Sequence, residues 1–114
     1  KWEYPNWHDL PRVQMVQLAV ANPTIMDAGF TSLNNRDENE KKDIVSAGLV
    51  ASRIDMKDFQ KYKAILDIDG NSWSSRFADL LCMNSVVIKV EPRWMDYFYL
   101  ELQPWVHYVP ANLS

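Results

Sequence analysis

The sequence of 114 residues is poor in several residue types, and each scarcity excludes a class of protein. A single cysteine, Cys82, excludes an internal disulfide framework and any zinc site built from several cysteines. The two histidines, His8 and His107, are not at metal-ligand spacing, so a two-histidine metal site has little support. There are three glycines, and the Gly-rich dinucleotide-binding and P-loop signatures are both absent. No apolar run approaches the roughly 18 residues that span a bilayer.

The chain also lacks an excess of positive charge. Its net charge is -3 and its isoelectric point is near 5.2, so we expect no nucleic-acid partner. Residues 1–5 contain no apolar segment of a signal peptide. The apolar fraction of 47% and the charged fraction of 24% are ordinary for one folded domain. Because the chain begins without Met and stops soon after an expected strand, we expect a piece of a longer protein.

The first half has weak structural signals. Residues 1–9 predict a loop. Apolar residues from Leu10 onward recur at helical spacing, and Asn22-Pro23 ends the predicted helix. The mixed-sign run at 34–43 predicts a solvated loop.

The second half alternates between strand and helix patterns. Strands are expected at 62–68, 85–90 and 105–109, with amphipathic helices after Trp73 and from Pro92 between them. This alternation is typical of an α/β fold with a parallel sheet. Four aromatic residues of the second helix are predicted to be core, with a sugar-binding platform as the alternative: Trp94, Tyr97, Phe98 and Tyr99.

The segment after the first of these strands carries the strongest chemical signal. Ligands of open α/β sheets bind at the carboxyl ends of the strands, and a helix N-terminus offers unpaired N–H groups to an anion. Small side chains there add hydrogen-bonding groups, at Asn71, Ser72, Ser74 and Ser75. The sequence therefore predicts an anion site, such as one for a diphosphate.

Arg76 sharpens this prediction. The helix dipole disfavours a cation in the first turn by several tenths of a kcal/mol. A bound diphosphate would explain the residue, since a guanidinium can bind phosphate oxygens with two hydrogen bonds. An ordinary salt bridge to Asp69 or Asp79 is the alternative, and the spacing leaves both open. Lys89, at the end of the next strand, is expected to face the same pocket.

The Asp67-x-Asp69 pair permits other interpretations. It suits a metal-binding pair or the nucleophile of an aspartate-dependent phosphatase. Such phosphatases usually have Thr or Val four residues after the first Asp, where this sequence has Asn71. The phosphatase interpretation is therefore the weakest.

Several separated motifs in one order carry a family resemblance. The run Tyr62–Phe77 resembles the CAP10 domain of the glycosyltransferases grouped as family 90, which includes protein O-glucosyltransferases of the Rumi type and KDEL-motif-containing glucosyl/xylosyltransferases. The likeness continues through Asn84–Lys89 and Leu102–Pro110, and upstream in Asp27–Thr31. It covers most of 10–112, except the segment at 33–55.

The resemblance implies a fold and a set of binding residues. It implies a GT-B enzyme with two Rossmann-like halves, in which residues 10–114 form part of the three-layer C-terminal half that binds the donor. It also implies that the turn from Asn71 to Arg76, Trp73 included, contacts the diphosphate of a UDP-sugar. Arg12 matches a second donor-binding arginine, whose usual Phe-Arg-Gly-Ser motif this chain lacks. The catalytic Asp of Rumi-type members has no match here, so no catalytic residue is assigned.

The same resemblance implies an activity and a location. A sugar, glucose or xylose, would pass from the UDP-sugar to a hydroxyl group of a protein or glycan acceptor, with inversion and without a metal ion or other cofactor. The expected location is the lumen of the endoplasmic reticulum or Golgi, with membrane contact only through an anchor outside this chain. We expect the fragment to be inactive alone. A non-catalytic relative that binds nucleotide sugars is the alternative. Asp69 is shared with the KDEL-type members, where the Rumi type has Arg, so this position does not identify the donor sugar.

Overall fold

The computed structural model describes residues 6–34, 36–70 and 72–112. The chain divides into two compact units, Lys1–Ile54 and Asp55–Ser114. Within the described ranges, no helix has both the length and the apolar character to span a membrane.

The first helix of the first unit confirms its prediction. α1 spans Pro11–Ala21, and proline is well suited to this first position because its missing N–H would have no helical partner. The helix ends at Asn22, whose Nδ2 donates to the carbonyl of Leu18 at 2.9 Å. Val13, Val16 and Ala19 form its buried face.

The charged segment that follows is largely helical. α2 spans Glu38–Ser46, so the predicted loop at 34–43 is wrong from residue 38 onward. Asp37 caps the helix by accepting a hydrogen bond from the backbone N–H of Glu40 at 2.8 Å. The charges occupy the exposed face, and Ile44 is buried on the other. The predicted loop at 1–9 likewise contains a 3-10 turn, Trp7–Asp9, and residues 1–5 lie outside the described ranges.

The core of the first unit joins its two helices and the segments beyond them. It contains Trp7, Val13, Val16, Ile44 and Leu49. Phe30 and Val50 form an isolated parallel bridge beside it, with Phe30 N donating to Leu49 O at 2.8 Å.

The second unit is a small α/β unit with a parallel sheet, as predicted. β1 spans Ala64–Asp67, β2 spans Val86–Val90 and β3 spans Val109–Ala111. The sheet order is β1-β2-β3, and both pairs are parallel. α3, Phe77–Leu81, connects β1 to β2. The expected positions of β1 and β2 are confirmed, and the architecture is consistent with a Rossmann-like fold.

The remainder of this unit differs from its prediction. The third strand begins at Val109, because the preceding residues form a turn in which Trp105 N donates to Tyr108 O at 2.7 Å. Trp105 has a φ of 68°, in the left-handed region that breaks an extended strand. The helix expected from Pro92 is reduced to a 3-10 turn, Tyr99–Glu101.

This change redistributes the aromatic residues of 94–99. Tyr99 is buried and Phe98 packs partly against the core, as predicted. Trp94 and Tyr97 are not core residues, since 51% and 90% of their surfaces are exposed. Without a helix, the spacing that would bring all four onto one face is lost.

The core of the second unit lies beside the sheet and is centred on Phe77. Its buried members are Ile65, Phe77, Leu80, Val87 and Tyr99. The Phe77 ring makes edge-to-face contacts with Tyr99 and Tyr108, with centroids 5.2 Å and 5.7 Å apart. Such pairs contribute about 1 kcal/mol each beyond burial alone.

Candidate functional site

The candidate site lies at the carboxyl edge of the parallel sheet. β1 ends at Asp67 and β2 ends at Val90, and two connections begin there: the 68–76 turn and the 91–98 loop. Because the strands are parallel, both connections leave the same edge. This is the edge at which open α/β sheets bind ligands.

A buried ion cluster lies at this edge. Lys89 is the register partner of Asp67 on the neighbouring strand. Its Nζ lies 2.7 Å from Asp67 Oδ2 and 2.8 Å from Asp69 Oδ1, and the side chains of Lys89 and Asp67 are 1% and 0% exposed. The Phe77 and Tyr99 rings lie near the ammonium, with centroids at 5.0 Å and 5.7 Å. Lys89, which was expected to face the same pocket as Arg76, is therefore a buried ion-pair partner of Asp67 and Asp69.

Each carboxylate oxygen of Asp67 and Asp69 accepts at least one hydrogen bond. Asp67 Oδ1 accepts a hydrogen bond from Ser74 Oγ at 2.6 Å. Asp69 Oδ2 accepts from the backbone N–H groups of Arg93 at 3.0 Å and Trp94 at 3.2 Å. Asp69 therefore joins the 68–76 turn to the 91–98 loop.

These contacts argue against the alternative roles of Asp67. A nucleophile needs an oxygen that faces a substrate, whereas both oxygens of Asp67 are buried and engaged. Across the described parts of the chain, no group of three or more His, Cys, Asp or Glu residues is arranged to hold a metal ion.

The predicted binding residues of the turn divide into two groups. Ser72, Trp73 and Ser75 are exposed, whereas Ser74 is turned inward onto Asp67 with 7% exposure. The turn is closed in part by Gly70 N, which donates to Ser72 O at 3.1 Å. Asn71 lies outside the described residues. Ser74 is thus placed to hold the turn in shape, and the exposed side chains remain candidates for ligand contact.

Arg76 is half-buried directly before α3. Its guanidinium has no ion-pair partner in the described part of the chain. The proposed salt bridge to Asp69 does not form, because Asp69 is bound to Lys89 and to two backbone N–H groups. α3 has five residues, so its dipole is small, and the guanidinium is the principal positive group of the turn.

Arg12 belongs to the other unit. It is half-buried at the second position of α1. Its participation in one site with Arg76 stays a prediction, because the two residues lie in separately described units.

Two residues of this edge were missed or misassigned from the sequence. Lys89 interrupts an otherwise apolar strand, Val-Val-Ile-Lys-Val. This interruption was the available signal that the lysine needs a buried carboxylate as its partner.

Tyr99 was assigned to the core, and its ring is there. Its hydroxyl, however, is buried and makes no hydrogen bond of good geometry among the described residues, although the backbone of Ser74 lies close enough to act against the rise in its pKa. Burial raises the pKa of Tyr99 to about 12, and the negative charges of Asp69 and Asp67 act in the same direction.

A small cavity adjoins this cluster. It has a volume of about 30 Å³ and is lined by Phe77, Lys89, Pro92, Met95, Tyr99, Leu102 and Tyr108. Sites for small molecules have volumes of several hundred Å³, so this cavity is too small for a nucleotide sugar. A ligand of that size would lie along the open edge, where Ser72, Trp73 and Ser75 are exposed.

The family model of Glycosyl transferase family 90 matches residues 5–114. The chain belongs to this family. Among curated family relatives, human Protein O-glucosyltransferase 3 is 38% identical over 105 residues, which are 90% of this chain and 20% of that protein. Bovine Protein O-glucosyltransferase 1 is 33% identical over 101 residues, 89% of this chain and 25% of that protein. The O-glucosyltransferase rumi homolog of Aedes aegypti is 33% identical over 103 residues, 90% of this chain and 25% of that protein.

The chain therefore spans about a fifth to a quarter of the length of these family relatives. The resemblance on which the sequence prediction rests is confirmed. The match includes all of the 68–76 turn and both of the arginines predicted to bind a ligand.

Proposed function

We propose that this chain is part of the donor-binding region of a glycosyltransferase that uses a UDP-sugar. The observation that carries the proposal is Arg76, a half-buried cation without an ion-pair partner in the described residues, at the ligand-binding edge of a parallel sheet. A diphosphate would supply the missing negative charge. The exposed hydroxyl groups of Ser72 and Ser75 would add hydrogen bonds to its oxygens.

The chemistry assigned to these groups is stabilisation of a leaving group. An acceptor hydroxyl attacks the anomeric carbon, a new glycosidic C–O bond forms, and the bond from that carbon to the UDP oxygen breaks with inversion. The acceptor proton goes to a base outside this chain. Negative charge accumulates on the departing diphosphate, and Arg76 with the turn's donors would stabilise it in place of a metal ion. A role for Arg12 on the same donor belongs to this proposal.

The finer parts of the function come from the relatives. Their names support a protein acceptor and glucose as the transferred sugar, with xylose as the second candidate donor sugar. We place residues 10–114 in the C-terminal half of a GT-B fold, and the intact protein in the lumen of the endoplasmic reticulum or Golgi. The parallel sheet of the second unit is consistent with this fold.

Calorimetric titration of UDP into the protein tests the site. Replacing Arg76 with Ala should weaken UDP binding at least tenfold, because the diphosphate loses a charged hydrogen-bonding partner. Arg76→Lys should weaken it less, since it keeps the charge but not the two-bond geometry. Arg53→Ala, at an exposed position in the other unit, is the matched control and should leave the affinity for UDP unchanged.

Equal UDP affinities of the wild type and Arg76→Ala would refute the assignment of Arg76 to the donor site. UDP binding without sugar transfer by the intact protein would favour a non-catalytic relative.

A further inference from the structure

We infer that Lys89 is a positioning residue, which holds the 68–76 turn in its ligand-binding shape from the neighbouring strand. The ligand in question is the donor diphosphate, so the functional part of the inference rests on the proposed function. The structural part, that one ammonium holds the turn, stands on the contacts alone.

The bonds of Lys89 reach several positions along the chain around the turn. Asp67 precedes the turn and Asp69 lies within it, and Lys89 binds both. Asp67 in turn binds Ser74, seven residues farther along. The end of β1 and two points of the turn are thus tied, directly or through one carboxylate, to a single side chain of β2. Arg76 follows two residues after the last of these points.

Asp69 also links the turn to the adjoining 91–98 loop. Asp69 uses its other oxygen to accept hydrogen bonds from the backbone N–H groups of Arg93 and Trp94. Lys89 therefore fixes, through Asp69, the relative position of the two connections that leave this edge of the sheet. A shift of Asp69 would move both connections together.

The cluster is buried. Lys89, Asp67 and Asp69 have side-chain exposures of 1%, 0% and 9%, and the rings of Phe77 and Tyr99 lie against the ammonium. Hydrogen bonds between charged groups are stronger where water is excluded. Without the ammonium, two buried carboxylates would lie close together with no cation between them, and the turn would rearrange to hydrate them.

Stability alone does not account for such a cluster. Buried ion pairs are often no more stabilising than apolar side chains of similar volume, and in some proteins they select one geometry over others. β2 carries apolar residues at its other four positions, Val86, Val87, Ile88 and Val90. A lysine at the one position opposite Asp67 is explained by the geometry that it imposes on the turn.

Two variants separate positioning from stability. Lys89→Met removes the ammonium and leaves two buried carboxylates. The double variant Asp67→Asn, Lys89→Met also removes the ammonium, but it keeps the cluster's net charge at -1 and keeps an acceptor for Ser74. We expect the double variant to recover most of the thermal stability lost by Lys89→Met. Lys57→Met, at an exposed lysine, is the control for the lysine-to-methionine change.

Hydrogen exchange tests the structural part without any ligand. In the folded double variant, the amides of residues 72–76 and of Arg93 and Trp94 should exchange at least tenfold faster than in wild type. The amides of α1 should be unchanged. Unchanged exchange in the turn would overturn the inference, whatever the variants do to UDP binding.

UDP titration tests the functional part. The double variant should bind UDP at least tenfold more weakly than wild type, although it is folded, and in an Arg76→Ala background the same change should have little further effect. Wild-type affinity in the folded double variant would overturn the positioning role. Faster exchange in a protein whose wild type does not bind UDP would leave Lys89 holding the turn and would refute the proposed function instead.

Discussion

Asp67 and Lys89 face each other across neighbouring parallel strands, and their side chains form an ion pair with a 2.7 Å Nζ–Oδ2 distance. In a parallel pair, residues in register project from the same face of the sheet. The pair therefore lies on one side of the sheet at its ligand-binding edge, where it connects the strands to the turn that carries Arg76.

Removal of Lys89 should destabilise the folded protein. We expect Lys89→Met to lower the free energy of unfolding by about 3 to 5 kcal/mol, because it leaves buried carboxylates without their cation. Urea unfolding followed by circular dichroism measures this change. Lys57→Met should change the same free energy by less than about 0.5 kcal/mol, since its ion pair is exposed. A loss of similar size in both variants would contradict the structural assignment of Lys89.

The Tyr99 hydroxyl is a buried group that makes no hydrogen bond of good geometry among the described residues, with only the backbone of Ser74 near it. Tyr99→Phe should therefore keep the protein as stable as wild type or raise the free energy of unfolding by about 1 kcal/mol at neutral pH. A loss of more than about 1 kcal/mol would mean that the hydroxyl makes a stabilising bond in solution.

The pKa of Tyr99 predicts how this comparison changes with pH. Its pKa is raised from 10.0 to about 12, mainly by burial, so the folded state retains the phenolic proton more tightly than the unfolded state. This contribution to stability is fully present below pH 10 and is lost as the pH rises from 10 to about 12. Between these values the wild type should lose stability faster than Tyr99→Phe, as measured by urea unfolding at each pH. Parallel losses in both proteins would refute the assignment.

Gly29 is required by close packing in the first unit. A Cβ at this position would collide with the Cβ of Ala51, so Gly29→Ala should lower the free energy of unfolding by about 1 to 3 kcal/mol. Gly48 provides a matched comparison, since a Cβ there meets open space but the residue has a φ of 71°. Gly48→Ala should cost about 1 kcal/mol, and Gly48→Asn should cost less because Asn tolerates this conformation. Ala51→Gly should partly rescue Gly29→Ala, and an absence of rescue would contradict the steric explanation.

The candidate site was predictable in part from residues that are close in sequence. The spacing of small polar residues and Arg76 after an apolar strand was sufficient to locate the turn, and the parallel order of the strands located it at the sheet edge. The inward orientation of Ser74 was not predictable, because its partner Asp67 is chosen by the path of the turn. The burial of Lys89 depends on a register 22 residues away in sequence, which no local pattern contains.

The peripheral residues illustrate the same limit. Cys82 follows the apolar face of α3, and His107 lies between Val106 and Tyr108, yet both are exposed. His107 lies in the turn before β3, where its Nδ1 accepts a hydrogen bond from the backbone N–H of Gln103 at 2.8 Å. Alternating or helical spacing predicts which residues share the buried face of a strand or helix. That prediction holds only for residues at which the strand or helix forms.

The sequence alone determined the helices and strands that have strong local signals. α1 follows from a proline start and a helical apolar stripe, and β1 and β2 follow from short apolar runs bounded by turn residues. Family membership also follows from linear order, since separated motifs recur in one succession. The Asp67–Lys89–Asp69 cluster was decided only by the tertiary structure, through contacts between residues distant in sequence. The start of β3 and the exposure of Trp94 and Tyr97 followed from turns that form where a strand and a helix were expected. The physical reason is that burial and ion pairing depend on which segments are in contact in the folded chain. The free energy of these tertiary contacts outweighs the helix and strand propensities of the individual residues.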